Sequence, residues 1–117
     1  MTPKTPLTFL HDILDTCRAI ERYVRNMSYD ELEADEIRRV AVERKLAIIG
    51  EAIHRASRLD ERLLEQISFA RMLVDMRHRL IHGYDAVEFD ALWEATTKQV
   101  PIVANEVAVL LRSEESV

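Results

Sequence analysis

The chain of 117 residues has few of the residue types that mark turns and crosslinks: two glycines, three prolines and one cysteine. With only Gly50 and Gly83, it cannot form a glycine-rich phosphate loop. Because turns depend on glycine and proline, their scarcity favours a few long helices over many short strands. The lone Cys17 cannot form an intrachain disulfide, which is typical of proteins from a reducing compartment.

Long hydrophobic runs are also missing. No segment approaches the roughly 20 apolar residues that span a bilayer, and residues 1–8 lack the apolar run of a signal peptide. We therefore expect a cytoplasmic protein. The net charge of −5 is opposite to that of a protein that attracts nucleic acid by bulk charge. Residues 71–84 are the exception, because this segment contains three arginines and only one aspartate. A phosphate-bearing partner would therefore be bound at this segment.

The hydrophobic pattern predicts four long helices and one short helix in a single domain covering residues 1–117. Thr5 and Pro6 are expected to begin the first helix, and Pro101 is expected to kink the fourth. The acidic residues 29–36 are interpreted as a solvated connector before the second helix. The predicted fold is an all-α up-and-down bundle that forms a homodimer. The long helices are predicted at 6–26, 35–57, 69–81 and from about 85–88 to 112, with the short helix at 60–67.

The second predicted helix is apolar on two sides. A helix with two apolar faces needs two partners, of which one is the core of the chain and the other could be a second copy. Gly50 in its middle costs about 1 kcal/mol relative to alanine, which a close approach of another helix would justify. One face carries Ile37, Val40, Ala41 and Ile48, and the other carries Val42, Leu46, Ile49 and Ile53.

Residues 77–84 combine two arginines, two histidines and a tyrosine, which together can bind a phosphate, transfer a proton and present a modifiable hydroxyl. A structural interpretation is also available, because Gly83 is typical of the left-handed residue that follows a helix. Arg77, Arg79 and His82 would then stabilise the negative end of the helix dipole, and Tyr84 would fold back as a hydrophobic cap contact.

Helix geometry limits how this cluster could form a site. His82 follows Arg77 by five residues, about 140° around an ideal helix, whereas Tyr84 shares the face of Arg77. The three can converge only if the chain leaves the helix at Gly83 or if a second copy completes the site. His78 and His82 have a spacing that can bind zinc, but the neighbouring arginines would repel a cation. We predict neither a metal nor a cofactor.

The pattern R-x4-H-x-Y formed by Arg77, His82 and Tyr84 resembles the motif of HepT-like proteins in the HEPN superfamily. Residues 44–52 (RKLAIIGEA) resemble the family's second-helix signature. Leu92-Trp93 followed by Val100-Pro101 is similar to the segment after the motif. The resemblance extends over roughly residues 7–111.

Two positions depart from the family pattern. His78 stands where Asn often follows the motif arginine, which changes the polarity of the site and could alter activity. Ser68-Phe69 stands near the position where Pro-Trp often precedes the third helix, and this difference is interpreted as a packing change.

The resemblance implies the toxin of a two-gene module, with an MntA-type minimal nucleotidyltransferase as its antitoxin. It implies a metal-independent endoribonuclease that acts as a homodimer on RNA and leaves a 2′,3′-cyclic phosphate. Under this interpretation Arg77 binds phosphate and His82 transfers protons, while His78 and Arg79 make auxiliary RNA contacts. Tyr84 is a positioning group and the expected acceptor of AMP from the antitoxin.

Two other functions remain open at this stage. The chain could be a non-catalytic module that binds a nucleotide or a nucleotidyltransferase, which the acidic character of residues 85–117 favours. It could also be a structural four-helix dimer in which residues 77–84 only cap a helix.

Overall fold

A computed structural model describes residues 4–83 and 87–115. Every regular element in these residues is helical, which confirms the predicted all-α class. The elements are α1 (Pro6–Tyr23), α2 (Tyr29–Ala34), α3 (Glu36–Leu59), α4 (Leu63–Gln66), α5 (Ala70–His82), α6 (Phe89–Glu94), a π-helical segment (Ala95–Gln99) and α7 (Val100–Glu115). Within the same residues, no helix combines the length and the apolar character that a bilayer crossing requires.

Helix α3 lies at the centre of the packing, because it contacts both α1 and α5, while α1 also contacts α7. The core consists of the apolar faces that these helices turn towards one another. Cys17 is fully buried in it, as expected of a small core residue. Other core side chains are Ile13 and Ile20 of α1, Leu46 and Ile53 of α3, Leu73 of α5, and Val103 and Val107 of α7.

The predicted start of α1 is confirmed, whereas its end is not. Pro6 is the first helical residue, and the Thr5 hydroxyl accepts a hydrogen bond from the Thr8 backbone N–H at 3.2 Å. The helix ends at Tyr23, three residues before the predicted end, and Asn26 adopts a positive φ of 63°. Asparagine tolerates this left-handed conformation better than most residues do, so it turns the chain towards α2.

The acidic connector, predicted as a solvated segment, is mostly exposed and forms the short helix α2. Ser28 and Glu31 make a reciprocal capping box at its start, which satisfies two backbone N–H groups. Six residues are too few to show a helical period in the sequence. The described residues therefore contain two short helices, α2 and α4, where one was predicted.

The predicted fourth helix consists of α6, the π-helical segment and α7, which follow one another without a break. It begins at Phe89 with Glu88 as its N-cap, next to the predicted start at 85–88, of which residues 85 and 86 lie outside the described residues. The backbone N–H of Val100 donates to the carbonyl of Ala95, five residues back. A wider π turn of this kind often accommodates an irregularity in a helix, here the missing N–H of Pro101.

The two apolar faces predicted for the second helix are both present in α3. Val42, Leu46, Ile49 and Ile53 are buried in the core. On the other face Ile37 is 86% exposed and Val40 is 53% exposed. This outer face is left uncovered within one copy of the chain.

Candidate active site

The arginine of the motif lies where α3 and α5 approach most closely. A Cβ atom placed on Gly50 would lie 2.5 Å from the Cβ of Arg77 and 2.5 Å from the carbonyl oxygen of Leu73. Both distances are shorter than any ordinary contact, so only glycine fits at position 50. This confirms the interpretation of Gly50 as a site of close helix approach, and it fixes the base of the Arg77 side chain against α3.

The guanidinium group of Arg77 is held by Glu51, the residue after that glycine. Its Nη2 lies 2.9 Å from Oε2 of Glu51, and Nε of Arg55 lies 2.8 Å from Oε1 of the same carboxylate. Nε of Arg77 is buried without a hydrogen-bond partner among the described residues. The Glu51 carboxylate thus bridges Arg77 and Arg55, and the Nε donor of Arg77 stays unsatisfied.

These side chains line a cavity of about 450 Å³ between α1, α3 and α5. Five cationic side chains line it, against three carboxylates. The cavity therefore has a positive local charge in a chain whose net charge is −5. Ile81, one turn after Arg77 on α5, lines the same cavity, so the cavity extends along α5 towards His82.

The histidines of the motif lie apart from this cavity. The ring centroids of His78 and His82 are 4.3 Å apart, as expected for residues that share a helix face. Neither residue is among the described residues that line the Arg77 cavity. One copy of the chain therefore brings the two histidines together, and the residues that line the cavity at Arg77 include neither of them.

Gly83 ends the helix as the sequence predicts, with φ 66° and a hydrogen bond from its N–H to the carbonyl of Arg79 at 3.0 Å. His82 is still the last residue of α5, so the break at Gly83 does not swing His82 towards Arg77. Tyr84 lies outside the described residues, and its predicted cap contact stays a prediction. In the described part of the chain, His, Cys, Asp and Glu side chains form no group of three that could hold a metal ion.

The sequence interpretation singled out neither Glu51 nor Arg55 as a site residue. Their spacing of four residues is a signal for a salt bridge on one helix. It gives no indication of the contact between Glu51 and Arg77, because these two residues lie on different helices and are 26 positions apart in the chain. Only the packing at Gly50 brings them together.

An exposed apolar surface lies beside the site. Val40, Leu80, Ile81 and the buried Ala47 line a cleft between α3 and the end of α5, together with the charged Glu43 and Arg44. Ile37 lies one turn before Val40 on the same helix. We refer to the five apolar residues as the α3–α5 apolar surface. Ile81, at 48% exposed, belongs both to this surface and to the Arg77 cavity.

Comparison with known proteins identifies the family. The family described as "Ribonuclease HepT-like" matches residues 13–110. The chain is 29% identical over 112 residues to "Putative RNase TTE0752" of Caldanaerobacter subterraneus subsp. tengcongensis, covering 96% of this chain and 99% of that protein.

Two archaeal relatives are similarly close. One is "Putative RNase MJ1216" of Methanocaldococcus jannaschii, 31% identical over 107 residues, which are 92% of this chain and 88% of that protein. The other is "Probable ribonuclease HepT" of Thermococcus cleftensis, 32% identical over 93 residues, covering 80% and 84%. No solved structure matches the chain. The family match and these relatives show that the chain belongs to the HepT-like ribonuclease family.

Proposed function

We propose that this protein is a metal-independent endoribonuclease and the toxin of a two-gene toxin–antitoxin module. The observation that carries the proposal is the pairing of a HepT-like family match over residues 13–110 with an arginine that lines a cationic cavity. A guanidinium in such a cavity can hold a phosphate through parallel hydrogen bonds.

The chemistry needs no nucleophile from the protein. The 2′-oxygen of RNA attacks the adjacent phosphorus, the bond to the 5′-oxygen breaks, and the products are a 2′,3′-cyclic phosphate and a free 5′-hydroxyl. His82 transfers protons in this step, since an imidazole can both accept and donate a proton. Arg77 binds the phosphate and stabilises the charge that develops on it, and His78 and Arg79 make auxiliary RNA contacts.

A homodimer completes the site in this proposal. Arg77 contacts Glu51 of α3, and the lining of its cavity includes neither His78 nor His82, so in this proposal a second copy supplies the His82 that acts with it. The α3–α5 apolar surface provides a place for that copy, because its exposed side chains adjoin both the cavity and the end of α5. Pairing through this surface would place the His82 end of one copy near the Arg77 cavity of the other.

The control mechanism in the proposal acts through Tyr84. An MntA-type nucleotidyltransferase transfers AMP from ATP to its hydroxyl and releases pyrophosphate, which adds bulk and negative charge to the motif and blocks RNA. The motif spacing supports this assignment, because Tyr84 follows His82 by two residues. Intact mass after co-expression with the neighbouring nucleotidyltransferase gene should show added AMP units, and Tyr84→Phe should abolish them while Tyr29→Phe should not.

Ribonuclease activity is tested with purified protein, single-stranded RNA and excess chelator. We expect cleavage to 2′,3′-cyclic phosphate ends that Arg77→Ala and His82→Ala each reduce by at least about a hundredfold, a typical effect of losing one proton-transfer or charge-stabilising group. His54→Ala is the matched control, because His54 is an exposed histidine on α3 that lines a different cleft. Cleavage that requires added divalent metal, or that survives His82→Ala, would rule the mechanism out. Tight binding of the nucleotidyltransferase without cleavage would favour a binding module.

A further inference from the structure

The cavity between α1, α3 and α5 favours an anion. Of its three carboxylates, Asp12 is already paired with Lys4 at 2.6 Å, which neutralises one charge of each sign. Arg44, Lys45 and the two arginines on either side of Glu51 then outnumber the remaining acids. Charges of one sign in a concave site raise the local concentration of the opposite ion.

Glu51 supplies the anion that now lies between the two arginines. One carboxylate oxygen is 2.9 Å from Nη2 of Arg77, and the other is 2.8 Å from Nε of Arg55. Guanidinium groups bind carboxylate and phosphate with the same planar hydrogen-bond geometry. The arrangement that holds this carboxylate therefore also suits a phosphate oxygen pair.

Two observations indicate that Glu51 does not fully satisfy the two arginines. Arg55 is 61% exposed and pairs with Glu51 along one helix, and water screens a pair of that kind strongly. In addition, Nε of Arg77 is buried and has no acceptor among the described residues. Buried donors are almost always satisfied in a complete site, so the guanidinium of Arg77 still lacks an acceptor.

We propose that Arg55 is a second ligand of the RNA phosphate held by Arg77, and that Glu51 is an internal anion which this phosphate displaces. Because Ile81 lines the cavity and precedes His82, an RNA strand bound there continues along α5 towards the proton-transfer end of the helix. The inference rests on the proposed ribonuclease function and adds to it a binding residue and an internal competitor.

The test measures binding of a fluorescent single-stranded RNA oligonucleotide by anisotropy, in the His82→Ala background so that the RNA stays intact. Arg55→Ala should weaken binding about three- to tenfold and make the slope of log affinity against log salt shallower by about 0.7, the value for one phosphate contact on a single strand. Arg58→Ala is the control, because Arg58 is an exposed arginine one turn further along α3 and outside the described cavity lining. It should leave both quantities unchanged.

Glu51→Gln separates competition from positioning. Glutamine keeps an oxygen that can accept from Arg77 but removes the charge that repels phosphate, so RNA binding should tighten several-fold. Unchanged or weaker binding would mean that Glu51 orients Arg77, and it would rule out the proposal that Glu51 competes with phosphate. If Arg55→Ala behaves as Arg58→Ala does in a protein that cleaves RNA, the second ligand fails while the ribonuclease function stands. If RNA binding depends on Arg55 but the parent protein cleaves no RNA, the second ligand stands and the ribonuclease function fails.

Discussion

Thr96 and Thr97 are neighbours on the π-helical segment with different hydrogen-bonding states. The hydroxyl of Thr97 donates to the Trp93 carbonyl at 2.7 Å. Thr96 is fully buried, and its hydroxyl has no hydrogen-bond partner among the described residues. A buried polar group without a partner costs free energy, whereas a paired one does not. The two residues therefore offer a matched test within one turn of helix.

Replacing Thr96 with valine, which has nearly the same shape, should raise the free energy of unfolding by about 1 kcal/mol, because it removes an unsatisfied hydroxyl. Thr97→Val should lower it by about 0.5–1 kcal/mol, because it removes a formed hydrogen bond. Chemical denaturation of both variants measures the difference. A lower stability for Thr96→Val would show that its hydroxyl is satisfied after all.

Cys17 provides a prediction about pH. Burial, with a smaller effect of the Glu21 carboxylate, raises the pKa of its thiol from 9.0 to about 12. Since the folded state favours the protonated thiol, this contribution to stability is complete below pH 9 and is lost as the pH rises towards 12. A thiol reagent at pH 8.5 should label the native protein far more slowly than the denatured protein. Equal labelling rates would show that the thiol is accessible.

Residue type and spacing can identify candidate site residues before the structure is known, and the roles assigned to those residues stay predictions. Arg77 and His82 stand out in an acidic chain, and Gly83 was correctly assigned as the end of a helix. Glu51 and Arg55 were not identified, because an ionic pair along one helix looks the same whether or not a second helix crosses it. Knowing which face meets α5 requires the packing.

At the scale of helices, the crossing of α3 and α5 determines where the site lies. The sequence predicted long helices at the positions of α1, α3 and α5, and the two faces of α3, because both depend on a 3.6-residue period that a long segment shows clearly. It missed α2, which is too short to show that period. Next to Pro101, where it predicted a disturbance of the helix, the structure has a π-helical segment at Ala95–Gln99. Proline indicates a disturbance of the helix, but the type of disturbance depends on neighbouring turns.

Gly50→Ala tests the crossing directly. Alanine would gain about 1 kcal/mol of helix propensity, but its Cβ would meet two atoms of α5 at 2.5 Å. Overpacking costs about 1–3 kcal/mol, and two clashes at once place this site at about 2–3 kcal/mol, so we expect a net loss of stability of about 1–2 kcal/mol. Displacement of Arg77 should also reduce RNA cleavage. Thermal denaturation and cleavage assays measure the two effects, and a variant more stable than the parent would show that the helices can separate at little cost.

At the scale of the whole molecule, the proposed function requires that two copies share the site. Val40→Asp should disrupt the α3–α5 apolar surface and give a monomer by light scattering, with helix content retained and RNA cleavage lost. Val109→Asp is the matched control, since Val109 on α7 is 54% exposed against 53% for Val40. A Val40→Asp protein that remains dimeric would show that the interface lies on another surface.

Mixing subunits tests whether the site is shared. When Arg77→Ala and His82→Ala chains are refolded together, random pairing puts one intact composite site in each mixed dimer, which predicts recovery of about a quarter of the parent activity for a symmetric dimer. A site contained in one chain would give no recovery, because each chain would lack one essential group. Measured cleavage by the mixture, against each variant alone, separates the two arrangements.

The position of His82 as the last residue of α5 has a consequence for motion. The terminal turn of a helix opens more readily than its middle, whereas Arg77 lies in the tightly packed region at Gly50. The two groups of the motif therefore differ in local stability, one anchored and the other on a turn that frays. Contact with RNA or with a second copy would slow the opening of that turn, and amide hydrogen exchange near residue 82 should record the change.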